Sequence, residues 1–231
     1  MAKEKKERYT KRLESLLFKP DKFISSIEKE KDYSKPLFFY IKIAVFSIIL
    51  EIVLSLAILA VRKTLDSSAV NLLSSAIFSL VLAFALPFLL ALIVHLGVLI
   101  LRGKQGFFNT YKPIAYSLPI TASYGILSLI IITILAVTIP ASSPLLSGDP
   151  SNLDITQIFA NKGFLISMII SLGISIISII HSLYFQVKAL SNFQKISKLR
   201  AFFSIILIPL VLLIIIVLII LLAAVTYTPT V

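Results

Sequence analysis

The chain has 231 residues, 58% hydrophobic and only 14% charged, with 22 Lys and Arg against 11 Asp and Glu for a net charge of +11. Soluble domains are less than half apolar and about a quarter charged, so this composition excludes a water-soluble globule. With no Cys and two His, disulfides, Cys-ligated zinc, iron–sulfur clusters and thiol catalysis are excluded, and a transition-metal site has few donors left.

Residues 1–35 form a polar head carrying 11 Lys and Arg, from Lys3 to Lys35. Within it Leu13, Leu16, Leu17, Phe23, Ile24 and Ile27 recur at helical spacing, interrupted at Lys19-Pro20-Asp21. Proline fits the first turn of a helix and not its interior, which predicts two short amphipathic helices over about 10–18 and 20–31. Their basic faces suit the surface of a bilayer with an anionic inner leaflet. Because the first apolar run follows some 35 largely polar residues, no cleavable signal is expected and Met1 should stay on the chain.

A spanning helix needs roughly 20 mostly apolar residues. Five stretches qualify, at about 36–61, 69–101, 113–139, 163–187 and 201–227, giving one membrane domain over 36–231. The runs are continuously apolar and do not alternate, which argues against barrel strands. Pro87 lies inside the second and predicts a kink or tilt there. The loop over 140–162, with Pro140, Pro144, Gly148 and Pro150, is accounted for by turn chemistry alone.

Basic residues are retained on the cytoplasmic side. Along the chain the segments outside the spans carry 11, 2, 3, 1, 4 and 0 Lys or Arg, so alternate segments total 18 against 3. The reading is an all-α bundle of five transmembrane helices, N-terminus cytoplasmic and C-terminus outside, resident in the cell membrane as a multi-pass protein (the inner or plasma membrane of a prokaryote). The same count explains the high charge without a nucleic-acid partner.

Four ionisable residues fall inside the apolar runs: Glu51, His95, His181 and Lys42. A carboxylate at mid-span costs about 2.5 kcal/mol or more even on lenient scales. Ser47, Glu51 and Ser55 are four apart, so they share one helix face, expected to turn toward the bundle. That face reads either as a proton- or cation-responsive site or as a protonated carboxyl bonded to a neighbouring span. Lys42 is close enough to a span end to snorkel. The two histidines, without acidic neighbours at ligand spacing, read as polar packing residues and not as a metal site. In the fourth span Ser167, Ser171, Ser175, Ser178 and Ser182 follow at intervals of 4, 4, 3 and 4, one helix face of small residues expected to form a helix-packing seam.

The segment after the second span runs Gly103-Lys-Gln-Gly106-Phe107-Phe108, then Tyr111, Pro113, and Tyr116-Ser-Leu-Pro119. Physically it reads as a hairpin, with glycines for a tight return, Phe107 and Phe108 as interfacial anchors, and prolines in the first turns of the third span. Together with Leu17-Phe-Lys-Pro20-Asp-Lys-Phe23 in the head, it resembles the Yip family. Those are five-span membrane proteins first known as partners of Ypt/Rab GTPases, with many bacterial and archaeal members. The acidic Asp-Leu-Tyr-Gly-Pro head motif of eukaryotic members has no counterpart here. The resemblance therefore implies the prokaryotic-like branch, and with it fold and membrane residence more than a given activity.

With no nucleophile–base pair, no phosphate-binding glycine loop and no metal constellation in the sequence, the expectation is a non-enzymatic scaffold or adaptor without a cofactor. Its partners would be the bilayer and other membrane proteins or further copies of itself. The alternative is a small transporter or channel subunit using Glu51. An odd number of spans without an internal repeat argues against it.

Overall fold

The computed structural model describes residues 2–62, 68–138 and 162–226. All the regular structure there is helical: α1 (Ala2–Phe18), α2 (Pro20–Ile27), α3 (Ser34–Arg62), α4 (Ser68–Ile100), α5 (Phe108–Thr138), α6 (Lys162–Gln194) and α7 (Lys198–Thr226). Five of them, α3 to α7, are long and apolar enough to cross a bilayer. In hydrocarbon a helix satisfies its own backbone bonds, which is why each apolar run folds this way. The chain is thus an all-α, multi-pass membrane protein. The loop read over 140–162 lies outside the described residues except for Lys162, which opens α6.

The two head helices form where the apolar spacing places them, divided at Lys19 with Pro20 in the first turn of α2. The second ends at Ile27, four residues short of the predicted 31. The third span also differs from expectation, since α5 starts at Phe108 and not at 113. The carbonyl of Phe107 accepts from the amides of Thr110 (2.9 Å) and Tyr111 (2.8 Å), so the first turn is already closed before Pro113.

The helices partition into two compact units. The first comprises residues 1–36, 86–117 and 183–231 and so holds the head. Its core gathers Ala91, Val94 and Val98 of α4, Tyr111 and Ile114 of α5, and Leu190 of α6, all buried. Gly97 lets α4 and α7 touch backbone to backbone: a Cβ placed there would lie 2.4 Å from the Ser204 carbonyl oxygen.

Two helices of this unit end on residues in the left-handed region that are not glycine, Arg102 (φ 66°) and Lys195 (φ 56°). After α4 the amide of Gly103 donates to the Val98 carbonyl (2.8 Å) and that of Arg102 to Leu99 (3.1 Å). This is the Schellman closure, usually built on a C′ glycine. The sequence reading gave Gly103 the conformational role. That role falls to Arg102, and Gly103 is required for space, its missing Cβ overlapping a methyl of Val98. Gly106 does use the left-handed region (φ 80°).

The second unit comprises residues 37–85 and 118–182. Its helices carry their polar side chains largely by bonding back into their own turns, as Ser47 does to the Ile43 carbonyl (2.9 Å) and Ser123 to that of Pro119 (2.8 Å). Long apolar side chains such as Phe78, Val81, Ile169 and Ile179 point away from the protein, each more than half exposed, as lipid-facing residues do.

Candidate functional site

The site in the first unit begins with the C-terminal end of α2, where the Ile27 carbonyl accepts from the Glu30 amide (3.1 Å). The last carbonyls of a helix have no partner within it. Here Lys112 of α5 supplies one: its Nζ donates to the carbonyls of Ile27 (3.0 Å), Glu28 (3.0 Å) and Glu30 (3.4 Å). An ammonium has three donors and no acceptor, so three carbonyls match its full capacity. Lys112 is 1% exposed, and its charge also rests over the rings of Phe193 (4.0 Å) and Phe108 (5.4 Å). A buried cation is tolerable only when so compensated.

A second clamp lies alongside. Arg12 of α1 donates through Nη2 to Glu30 Oε1 (2.7 Å) and to the Tyr116 hydroxyl (2.6 Å), and that hydroxyl donates to Glu30 Oε2 (2.7 Å). Three groups from α1, the segment after α2 and α5 therefore close a ring of charge-assisted bonds. The Arg12 guanidinium also covers the Tyr116 ring at 5.3 Å, and Phe23 meets that ring edge-on at 5.1 Å and Phe185 of α6 at 6.0 Å. Tyr111 donates to the Tyr33 carbonyl (3.2 Å), while the Tyr33 ring packs on Phe108 at 4.7 Å. At the rim, Lys188 pairs with Asp21 at 2.5 Å. Asp32 accepts from the amide (2.9 Å) and hydroxyl (2.6 Å) of Ser34 at the start of α3, and those bonds hold its carboxyl below the usual carboxylate range.

These contacts show what covers the apolar stripe of the head: Leu16, Phe23, Ile24 and Ile27 are all buried within the protein, none more than 3% exposed. Amphipathicity demands that a face be covered without saying by what. The Lys-rich opposite faces remain open, with Lys11, Lys19, Lys22, Lys29 and Lys31 exposed. Replacing Tyr116 with Phe, which keeps the ring and deletes the bridging hydroxyl, should weaken head docking by about 1–2 kcal/mol. Slower release is not expected; the variant should show faster proteolysis at the head lysines with an unchanged helical signal.

The hairpin between α4 and α5 is bound into the same assembly. Gln194 donates to the Gly106 carbonyl (2.9 Å) and the Thr110 hydroxyl (2.9 Å) and accepts from the Gln105 amide (3.1 Å). His95 meets Thr110 through Nδ1 at 2.9 Å and the Phe107 ring at 5.4 Å. Of the motif residues, Gly103, Gly106, Phe107, Tyr111 and Tyr116 come together here. Pro113 is buried beside them in sequence, whereas Pro119 falls in the second unit. What the sequence reading took as a plain hairpin also holds the head. Lys112, Arg12, Glu30 and Gln194 were missed as site residues. Lys112 counted only toward orientation, and its one signal was a lysine set between two motif tyrosines.

The second unit holds the remaining candidates. Glu51 and Ser47 line a cavity of about 370 Å³ shared by α3, α4 and α5. Neither histidine is among the lining residues. His181 instead lies 3.1 Å from the Tyr124 hydroxyl through Nδ1, and Lys42 is exposed on α3. Of the serine stripe, Ser175 and Ser178 line a cavity of about 340 Å³ with Thr121, Tyr124 and Ser128 of α5. Ser175 bonds back to the Ser171 carbonyl (2.8 Å), and the hydroxyls of Ser171 and Ser178 are buried with no hydrogen-bond partner among the described residues. Ser175 and Ser178 thus face α5 across a space, while Ser178 and Ser182 are both buried. Among the described residues no group of three or more His, Asp or Glu could hold a metal ion.

The family model of the Yip1 domain matches residues 15–221, from the first head helix to the last span. No curated protein and no solved structure gives a match.

Proposed function

The chain belongs to the Yip1 domain family, and from that premise and the clamped head we propose that it is a non-enzymatic membrane scaffold that presents a fixed basic surface to partners at the cytoplasmic face. The observation that carries this reading is the double clamp. Lys112 and the Arg12–Glu30–Tyr116 ring hold the head against α5, so its outward lysines form a positioned surface and not a loose tail. The uneven distribution of basic residues along the chain supports a cytoplasmic location for that surface. Anionic lipid and membrane proteins, including second copies of the chain, are the partners its charge suits. The α7 span supports lateral association as well, Leu210, Val211 and every residue from Leu213 to Leu222 being exposed.

The chain has no cysteine, so one introduced at exposed Lys22 can carry a photo-crosslinker. In sealed cells a membrane-impermeant thiol reagent should leave Lys22→Cys unmodified, and irradiation of membranes should trap a defined neighbour or a second copy. Modification from outside, or crosslinks to neither protein nor a second copy in intact membranes, would overturn the reading. A second reading, a small transporter or channel subunit, rests on one observation, the opening of Glu51 onto a cavity within the spans.

A further inference from the structure

We propose that the cavity bearing Glu51 is a binding site for an amphiphilic monocation, an alkylammonium whose head meets the Glu51 carboxylate while its chain lies along the apolar wall. This deepens the second reading above by naming the ligand class, and binding can hold whether or not anything crosses the membrane.

Four observations converge on it. Tyr40, Ser47 and Glu51 are spaced 7 and 4 along α3, which puts them on one helix face, and all three line the cavity. One wall therefore carries a polar stripe that ends in a carboxylate, with Ala44 and Ile48 beside it. Apart from the Ser79 hydroxyl of α4, the opposing walls, Ala83 of α4 and Ala122, Gly125, Ile126 and Leu129 of α5, are apolar, and no lining residue is basic. Among the described residues, no side chain offers the Glu51 carboxylate a hydrogen bond or an ion pair, and the hydroxyl one turn before it on its stripe, Ser47, already donates to the Ile43 carbonyl. A carboxylate inside a span needs a compensating charge or proton, and an incoming ammonium supplies charge and donors together. Finally, the volume of about 370 Å³ lies in the range of small-ligand pockets. Small residues keep it open: a Cβ added at Gly125 would meet nothing within 4 Å.

A neutral amphiphile would leave the carboxylate uncompensated and an anionic one would be repelled, so charge selects the class. The probes are octylammonium, octanol and octyl sulfate, added to the full chain in nanodiscs of zwitterionic phosphatidylcholine. Octylammonium should raise the unfolding temperature saturably, and the other two should not. Glu51→Gln, nearly isosteric, should weaken the apparent affinity about tenfold or more, while Glu51→Asp should stay within a few fold. Gly125→Leu, which fills the space and keeps the carboxylate, should also weaken it, and Gly125→Ala should not. Equal stabilisation by octanol, or undiminished binding by Glu51→Gln, overturns the proposal. Should Glu51→Gln unfold on its own, the Gly125→Leu and Gly125→Ala pair decides. Proteoliposome flux of the same amine is read separately: binding without flux sinks the transport reading alone, and loss of binding leaves the scaffold reading untouched.

Discussion

Replacing Lys112 with Met should free the head from the rest of its unit while leaving the five spans helical. The side chain that replaces it fills similar space but returns nothing to the carbonyls of Ile27, Glu28 and Glu30 that the ammonium now satisfies. Bonds to a charged group are worth about 1.5–3 kcal/mol each and are not additive, so a loss of about 2–4 kcal/mol in docking is expected. In hydrogen exchange the amides of α2 should then open roughly 30- to 1,000-fold more often, while those of α4 and α6 keep their protection. Lys188→Met is the contrast. Its pair with Asp21 is made at the surface, the Asp21 side chain being 76% exposed, and exposed pairs contribute little, so α2 protection should change by no more than roughly fivefold. Equal effects of the two substitutions would show that the head is held by apolar burial and not by the Lys112 clamp.

The second large effect is expected at Gly97. A methyl group there would stand 2.4 Å from the Ser204 carbonyl oxygen and 3.0 Å from its carbonyl carbon and Cα. Backbone cannot rotate aside as a flexible side chain can, so even Gly97→Ala must push α4 and α7 apart. Overpacking of this kind costs about 1–3 kcal/mol, and Gly97→Leu should prevent the unit from assembling. Gly173→Ala is the control: nothing lies within 4 Å of the added atom, and alanine is the better helix former by about 1 kcal/mol. Thermal unfolding in a mild detergent should therefore fall for Gly97→Ala and hold or rise for Gly173→Ala. The test also bears on packing in lipid, where close approach at small residues takes the place of the hydrophobic effect between helices.

How far the sequence could be read depended on the range of the interaction. The five spans follow from runs of apolar residues, a local property, and the helices lie within a few residues of them except at the start of α5, whose first turn is closed by Phe107 ahead of Pro113, and at the end of α6, which runs on to Gln194. The head helices were legible from Leu16, Phe23 and Ile27, but not the surface that covers them, since periodicity carries no address. Lys112 illustrates the same limit in a charge. A lysine near a span end is ordinarily solvated, and only the convergence of three carbonyls from residues more than 80 positions away makes this one a structural cation. Glu51 stood out at once because a carboxylate is rare in a span. The cavity beside it did not, being made by Ala83 and Gly125 from other helices. The left-handed caps at Arg102 and Lys195 left no trace at all, because the residue type usual at such positions is absent.

The separation of 85 residues between Lys112 and its partner at Ile27 bears on how the nascent protein is assembled. While the ribosome is still producing the first two spans, the α2 stripe has been made but the groove that receives it has not. Through that interval Phe23, Ile24 and Ile27 must find temporary cover on a chaperone or the bilayer surface, and docking completes only after α5 has been inserted. The late arrival of one lysine thus places head docking after the first two spans have been made.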